Sequence, residues 1–298
     1  MPANKVMVIY HGGGCADGFC AAWLFHAAFP DAEFVPAQHG DAPPDVTGKE
    51  VYIVDFSYKR AVLLHLIAQC RGNLVLLDHH ATAEADLAGL MGACDCRRDA
   101  LDQLPLVRFV QRASGARLAW EHLYASRLLP SSWDTEYSLG IAPWLVDYTE
   151  DRDLWLWKLP KSREINAALR SYPYDFAEWE RLRQLDRCAE IETSRLVDEG
   201  RALLRAEAQT VAAHVRNAHE VEIDGHKVLA VNATTLTSEI AGELAKGRPF
   251  GACWFDRADG FRVWSLRSRD GAVDVSEVAK RRGGGGHRNA AGFQERAA

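Results

Sequence analysis

Three short apolar runs in the first third of the chain each end close to acids or imidazoles. Val6-Met7-Val8-Ile9-Tyr10 leads into His11 and, past Gly12-Gly13-Gly14, into Asp17. Val51-Tyr52-Ile53-Val54 ends in Asp55, and Leu74-Val75-Leu76-Leu77 ends in Asp78 with His79 and His80 directly after it. One acid at the end of a strand reads as a cap for the next helix. Several at one edge do not, because crowded carboxylates repel and burial raises the cost further unless cations neutralise them. Mixed oxygen and nitrogen donors of this kind suit Mn²⁺ first, with Mg²⁺, Fe²⁺ and Zn²⁺ as alternatives. A further acid would come from Glu150-Asp151-Arg152-Asp153, at the close of a helix.

The elements that must position these groups alternate in type. Helix-like patterns over 18–29 and 58–70 separate the apolar runs, and more helix follows over 113–128 and 136–148. Short apolar strands joined by helices imply α/β architecture, a parallel Rossmann-like sheet covered on both faces. Ligands of such sheets sit beyond the carboxyl ends of the strands, so His11, Asp17, Asp55 and the Asp78-His79-His80 corner should share one crevice. A long charged helical stretch over 175–216 then leads to strand-like runs at 227–231, 250–255 and 261–266 and a helix over 275–281. The expected division is a catalytic domain over 1–174, a helical connector over 175–218 and a smaller mixed α/β domain over 219–298. The active cleft is expected between the two lobes. No internal repeat or low-complexity linker interrupts this pattern.

The C-terminal lobe carries Gly283-Gly284-Gly285-Gly286 followed by His287 and Arg288. Consecutive glycines let a backbone approach a ligand closely and present N–H groups to an anion. With Arg267 nearby in sequence, this segment reads as a holder for a terminal phosphate; a Gly-rich hinge is the competing reading. Trp155 and Trp157, beside the fourth acidic cluster, are candidates for a base-stacking wall. Most other Trp, such as Trp23 and Trp120, read as core. Cys94-Asp95-Cys96 reads as structural.

The 298 residues are 48% hydrophobic and 26% charged, which places the chain among folded soluble proteins and excludes disordered, collagenous and coiled-coil classes. The formal charge of −6 has the wrong sign for coating long duplex DNA. It does not oppose a small phosphorylated ligand, because residues 256–298 carry nine Lys and Arg against six Asp and Glu. Seven Cys without a C-x-x-C pair suggest free thiols in a reducing compartment. The apolar start meets His, Gly and Asp too early for a signal peptide, and no window is apolar enough to span a membrane. The expected location is the cytoplasm, with no membrane partner.

Taken together, five segments resemble the DHH phosphoesterases. His11-Gly12-Gly13-Gly14-Cys15-Ala16-Asp17-Gly18, Asp55, Asp78-His79-His80 and Asp151-Arg152-Asp153 look like the four motifs of that family's first domain. Gly283 to Gly286 with His287-Arg288-Asn289-Ala290-Ala291-Gly292-Phe293 looks like the signature of its associated C-terminal domain. The resemblance is to the nanoRNase and RecJ-like phosphodiesterase group, and it covers nearly the whole chain in the right order.

That resemblance implies two Mn²⁺ ions held by His11, Asp17, Asp55, His79 and Asp151, with Asp55 between them and Asp153 as the fallback for Asp151. It implies that His80 faces the phosphate, that Asp78 orients the imidazoles, and that Arg267 and His287 bind substrate, alongside Gly284, Gly285, Gly286 and Arg288. One position departs from the pattern, since Cys15 stands where the family has an Asp. A thiolate there would favour Zn²⁺ or Fe²⁺ over Mn²⁺; a small buried residue in a tight turn is the other reading. The implied activity is metal-assisted hydrolysis of short, terminally phosphorylated single-stranded oligonucleotides or dinucleotides. A phosphatase or pyrophosphatase acting on a nucleoside bisphosphate, pyrophosphate or short polyphosphate is the alternative enzyme. A nucleotide-binding module without catalysis is the third reading.

Overall fold

Strand residues alternate between two apolar faces throughout the first part of the computed structural model, which describes residues 5–90, 105–130, 133, 140–185 and 191–297. By its internal contacts the chain divides into two units, Met1–Arg201 and Ala202–Ala298. The first holds β1 (Val6–His11), α1 (Ala16–Ala28), β2 (Glu33–Ala37), β3 (Glu50–Val54), α2 (Arg60–Gln69), β4 (Leu74–Asp78), α3 (Ala81–Asp86), β5 (Leu106–Phe109) and α4 (Gly115–Ala125). Next come α5 (Trp144–Asp153), α6 (Ser162–Leu169) and α7 (Phe176–Gln184). The strands form one parallel sheet in the order β2-β1-β3-β4-β5. The chain leaves β1 toward one side and resumes at β3 on the other, so the strand order reverses beside β1, where open α/β sheets place their ligands.

The alternation explains why both faces are covered. Val8, Tyr52, Val54, Val75 and Leu77 pack with Trp23 and Leu24 of α1 and Trp120 and Leu123 of α4. Met7, Ile9, Val51, Ile53, Leu74 and Leu76 pack on the opposite face with Leu63 and Leu66 of α2. Each such side chain contributes about 1.5–3 kcal/mol on burial. The runs lack polar residues because both faces are dry.

Several elements differ from expectation. Strand β2, Glu-Phe-Val-Pro-Ala, escapes a periodicity reading because it is a half-exposed edge strand that tolerates Pro36. Helix α5 runs on to Asp153 and so carries the fourth acidic cluster inside it. The expected connector contains α7 and α8 (Ile191–Arg216), and the two units meet in sequence within α8. Cys94, Asp95, Cys96 and Cys188 lie outside the described residues.

The second unit adds β6 (His219–Ile223), β7 (His226–Asn232), α9 (Thr237–Leu244), β8 (Gly251–Asp256), β9 (Phe261–Arg267), α10 (Val275–Arg281), β10 (Gly285–His287) and β11 (Ala290–Arg296). Its sheet runs β10-β11-β9-β8-β7-β6, with β7 and β8 parallel and the other pairs antiparallel. Asp224-Gly225 joins β6 to β7 with both residues at positive φ, 53° and 78°, the backbone a tight hairpin demands. Among the described residues no helix is long and apolar enough to cross a membrane.

Candidate metal centre

The sheet brings the strand-end groups to one edge. His79 Nε2 lies 3.1 Å from Asp55 Oδ1, 3.5 Å from Asp153 Oδ2 and 3.7 Å from Asp17 Oδ2. The other oxygen of Asp55, Oδ2, faces Cys15 Sγ at 3.5 Å and His11 Nδ1 at 3.4 Å. Asp55 therefore divides its carboxylate between two groups of donors. Its backbone is left-handed (φ 55°), a sparsely populated conformation for a side-chain-bearing residue that the next strand enforces through Asp55 N–H to Leu77 O.

Asp17 is 2% exposed and sits in the first turn of α1, where its oxygens accept from the Gly115 and Ala116 amides at 2.6 and 2.9 Å. It thus ties α1 to the N-terminus of α4 while keeping an edge toward His79. Two glycines make the approach possible. A Cβ on Gly18 would stand 2.3 Å from His11 O, and one on Gly115 would stand 2.3 Å from the Asp55 Cβ. Gly115 escaped the sequence reading, where Ser114-Gly115 looks like an ordinary helix start; Ser114 does cap α4, accepting from Arg117 N–H.

The two candidate acids of the fourth cluster are turned in different directions. Asp151 is buried and turned away, accepting from the Lys158 and Leu159 amides at 2.8 and 3.4 Å. Asp153, with a side chain 27% exposed, is the residue that reaches His79. Two positions along a helix rotate a side chain by about 200°, so only one of the pair can face the site. The loop that Asp151 pins holds Trp155 and Trp157 at positive φ, 56° and 53°. Trp155 is 49% exposed, whereas the Trp157 ring is covered by the Arg163 guanidinium at 4.3 Å.

Asp78, fully buried, lies beside the donors, with an oxygen within 4.8 Å of ligand atoms of Asp55, His79 and His80, and is engaged in hydrogen bonds. It accepts from Ser57 Oγ at 2.6 Å and the His79 amide at 2.7 Å, and its Oδ1 lies 2.7 Å from His80 Nδ1. It holds the His80 ring through Nδ1, and Ser57 is a supporting residue that the sequence reading missed.

The electrostatics favour a cation. Burial, with Asp55 adding to it, pushes the Asp17 carboxyl well above the ordinary carboxylate range, and burial raises Asp153 as well. Burial acts on Asp55 in the same direction, but His11 and His79 outweigh it and hold that group well below the range. Burial would depress His79; Asp55, Asp153 and Asp17 instead lift it to about 10. The protein's own groups can thus keep Asp55 ionised but not all three acids together. Donor atoms of Asp17, His79 and Asp153 lie within 4.8 Å of one another, as do those of His11, Cys15 and Asp55. Crowded, incompletely neutralised oxygen and nitrogen donors fit a divalent metal.

In the second unit the glycine run is neither hinge nor open loop. Gly285–His287 is an edge strand, and a Cβ on Gly284 or Gly286 would come within 2.1 or 2.5 Å of a carbonyl oxygen of β11. Those glycines permit close strand packing. Arg267 and His287 both align with Ala290, one from each side, so they occupy one row across three strands and point to the same face. Arg267 donates to Ser238 Oγ at 2.7 Å. Arg288 is turned instead toward Asp274 and the Ala272 carbonyl.

No family model matches the chain. An uncharacterized protein of Acanthamoeba polyphaga mimivirus is 25% identical to it over an alignment covering 97% of this chain and 68% of that one. The solved structure of RecJ from Thermus thermophilus in complex with Mn²⁺ superposes with a TM-score of 0.51 at 18% identity, over 98% of this chain and 49% of that one. An exopolyphosphatase-related protein from Bacteroides fragilis gives 0.54 at 13% identity, over 98% and 87%. Likeness at this level establishes a shared fold.

Proposed function

We propose that the chain is a metal-dependent phosphoesterase of the DHH type that hydrolyses a phosphodiester at the end of a short, terminally phosphorylated oligonucleotide or dinucleotide. One observation carries this reading: Asp17, Asp55, His79 and Asp153 converge at the carboxyl edge of the parallel sheet, and the nearby imidazoles leave the Asp17 and Asp153 carboxyls incompletely neutralised. Fold likeness to RecJ, solved with Mn²⁺, points the same way. Bound divalent metal would supply a water of lowered pKa and charge neutralisation at phosphorus.

The chain's own residues do the rest. Asp17, Asp55, His79 and Asp153 are the residues that would hold the ion. Asp78 fixes the His80 ring through Nδ1, which assigns His80 Nε2 the task of donating to a phosphoryl oxygen. The burial that would strip the His80 proton is outweighed by Asp78, which raises the group above its ordinary value. In the second unit, Arg267 and His287 are the groups for a terminal phosphate, the guanidinium offering a planar pair of donors. Arg288, engaged with Asp274, has a lesser part.

The test is a substrate panel with the purified chain and added Mn²⁺, Mg²⁺, Fe²⁺ or Zn²⁺. Release of mononucleotides from 5′-phosphorylated dinucleotides, lost in Asp55→Ala, is the expected outcome. Hydrolysis of pyrophosphate or short polyphosphate in their place moves the assignment to a small-molecule phosphatase. An intact panel with every metal leaves a nucleotide-binding module.

A further inference from the structure

We infer that Cys15 is a metal ligand, and that His11, Cys15 and Asp55 form a thiolate site for a borderline-soft divalent ion such as Zn²⁺ or Fe²⁺ in preference to Mn²⁺. The inference builds on the metal-dependent reading above and gives it a second, chemically distinct corner.

The geometry is the first support. Cys15 Sγ and His11 Nδ1 approach the same oxygen of Asp55, Oδ2, at 3.5 and 3.4 Å. In a tetrahedral site with metal–sulfur bonds of about 2.3 Å and metal–nitrogen or –oxygen bonds of about 2.0–2.1 Å, sulfur and oxygen ligands stand about 3.5 Å apart and nitrogen and oxygen about 3.4 Å apart. The donors of His11, Cys15 and Asp55, all within 4.8 Å of one another, are thus spaced as a tetrahedral thiolate site needs.

The second support is what Cys15 and His11 do not do. Cys15 occupies the N-cap of α1, where Ser, Thr, Asp or Asn normally satisfies a free amide, yet its thiol makes no cap hydrogen bond and donates instead across to Asp55 Oδ2. A residue kept for helix initiation would have an oxygen there. His11 Nδ1 is buried and, although near Asp55 Oδ2, makes no aligned hydrogen bond. A metal ion would use both groups at once. When it binds, the thiol S–H bond breaks, the proton leaves to solvent and the sulfur lone pair forms the metal–sulfur bond; no electron is exchanged. Thiolate selects zinc and iron over manganese because the softer donor matches the softer ion. Asp55 Oδ1 meanwhile faces His79 and the Asp17 and Asp153 group, which lacks sulfur and suits harder ions.

Cobalt spectroscopy of the full chain tests the assignment without reference to activity. Metal-stripped protein is titrated anaerobically with Co²⁺, reading the visible bands of bound cobalt and the near-ultraviolet sulfur-to-cobalt charge-transfer band. The wild type should show both, and Zn²⁺ should erase the charge-transfer band where equimolar Mn²⁺ does not. Cys15→Ser, a favourable N-cap that should preserve the fold, must lose the charge-transfer band while keeping visible bands from the remaining site. Cys15→Asp must also lose it and bind Mn²⁺ more tightly relative to Zn²⁺ than the wild type does. Visible bands without charge transfer in the wild type, or a charge-transfer band that survives in Cys15→Ser, would overturn the thiolate site and leave the phosphoesterase reading standing. Absence of any cobalt spectrum would overturn both.

Discussion

Gly115 begins α4 directly against Asp55: a Cβ at position 115 would lie 2.3 Å from the Asp55 Cβ and 2.8 Å from its carboxylate. The same residue's amide donates to Asp17 at 2.6 Å. One glycine therefore lets two acids, one from the first turn of α1 and one following β3, approach a single helix terminus, whose positive end favours them both. Gly115→Ala must push either Asp55 or α4 aside. Overpacking of this kind costs about 1–3 kcal/mol, so the variant should unfold at lower denaturant and bind divalent metal more weakly. Denaturation and metal titration of the same preparation check the two effects; unchanged metal affinity would show that Asp55 does not depend on this contact.

Asp151 and Asp153 should separate cleanly. Asp153→Asn removes the carboxylate beside His79 and is expected to lose metal affinity and turnover with little change in stability. Asp151→Asn weakens acceptors for the Lys158 and Leu159 amides, each charge-assisted bond being worth about 1.5–3 kcal/mol. That variant should lose stability first and retain metal binding wherever it remains folded. Thermal melts and metal titration of both proteins decide the assignment, and the opposite pattern would restore Asp151 as the ligand.

This pair also marks how far the sequence was legible. Strand-end acids could be read because each closes an uninterrupted apolar run, and a parallel sheet fixes which edge they share. Choosing between Asp151 and Asp153 required the rotation of α5, which spacing to Trp155 does not report. The need for glycine at 115 arises from a contact with Asp55, far away along the chain. The strand in the glycine run is hidden for a different reason: glycine is depleted in strands, so Gly285–His287 shows no strand signal until its partner β11 is seen. Cys15 was visible as a departure, but only the spacing to His11 and Asp55 gives that departure a chemical meaning.

In the second unit, Arg267 reaches Ser238 Oγ at 2.7 Å and shares a row with His287. If the guanidinium binds a terminal phosphate, Arg267→Gln should raise KM for phosphorylated substrates and leave unphosphorylated ones unaffected. Arg267→Lys should recover little, because a point charge does not reproduce the planar pair of donors. Ser238→Ala, which removes one of the contacts that aim the guanidinium, should raise KM in the same direction by less. Steady-state kinetics on paired substrates with and without the phosphate provide the readout. A fall in kcat at unchanged KM would contradict a binding role.

His122, on α4 and 7% exposed, gives the fold its own acid limit, independent of metal. It packs against the rings of Phe25 and Tyr52 at 6.3 and 5.9 Å. Burial lowers its pKa, with Arg108 adding to the effect, to about 4 from an ordinary 6.5. The folded state thus keeps the ring neutral where the unfolded chain takes up a proton. Stability from this residue is complete above about pH 6.5, falls as pH drops through the window and is spent near pH 4. Between about pH 7.5 and 5 the loss amounts to about 2 kcal/mol. His122→Phe removes the titration while keeping an aromatic ring, so its denaturation free energy should fall less over that interval than the wild type's. Equal losses in the two proteins would mean that His122 is protonated inside the fold and that Tyr52 and Phe25 admit more water than their burial implies.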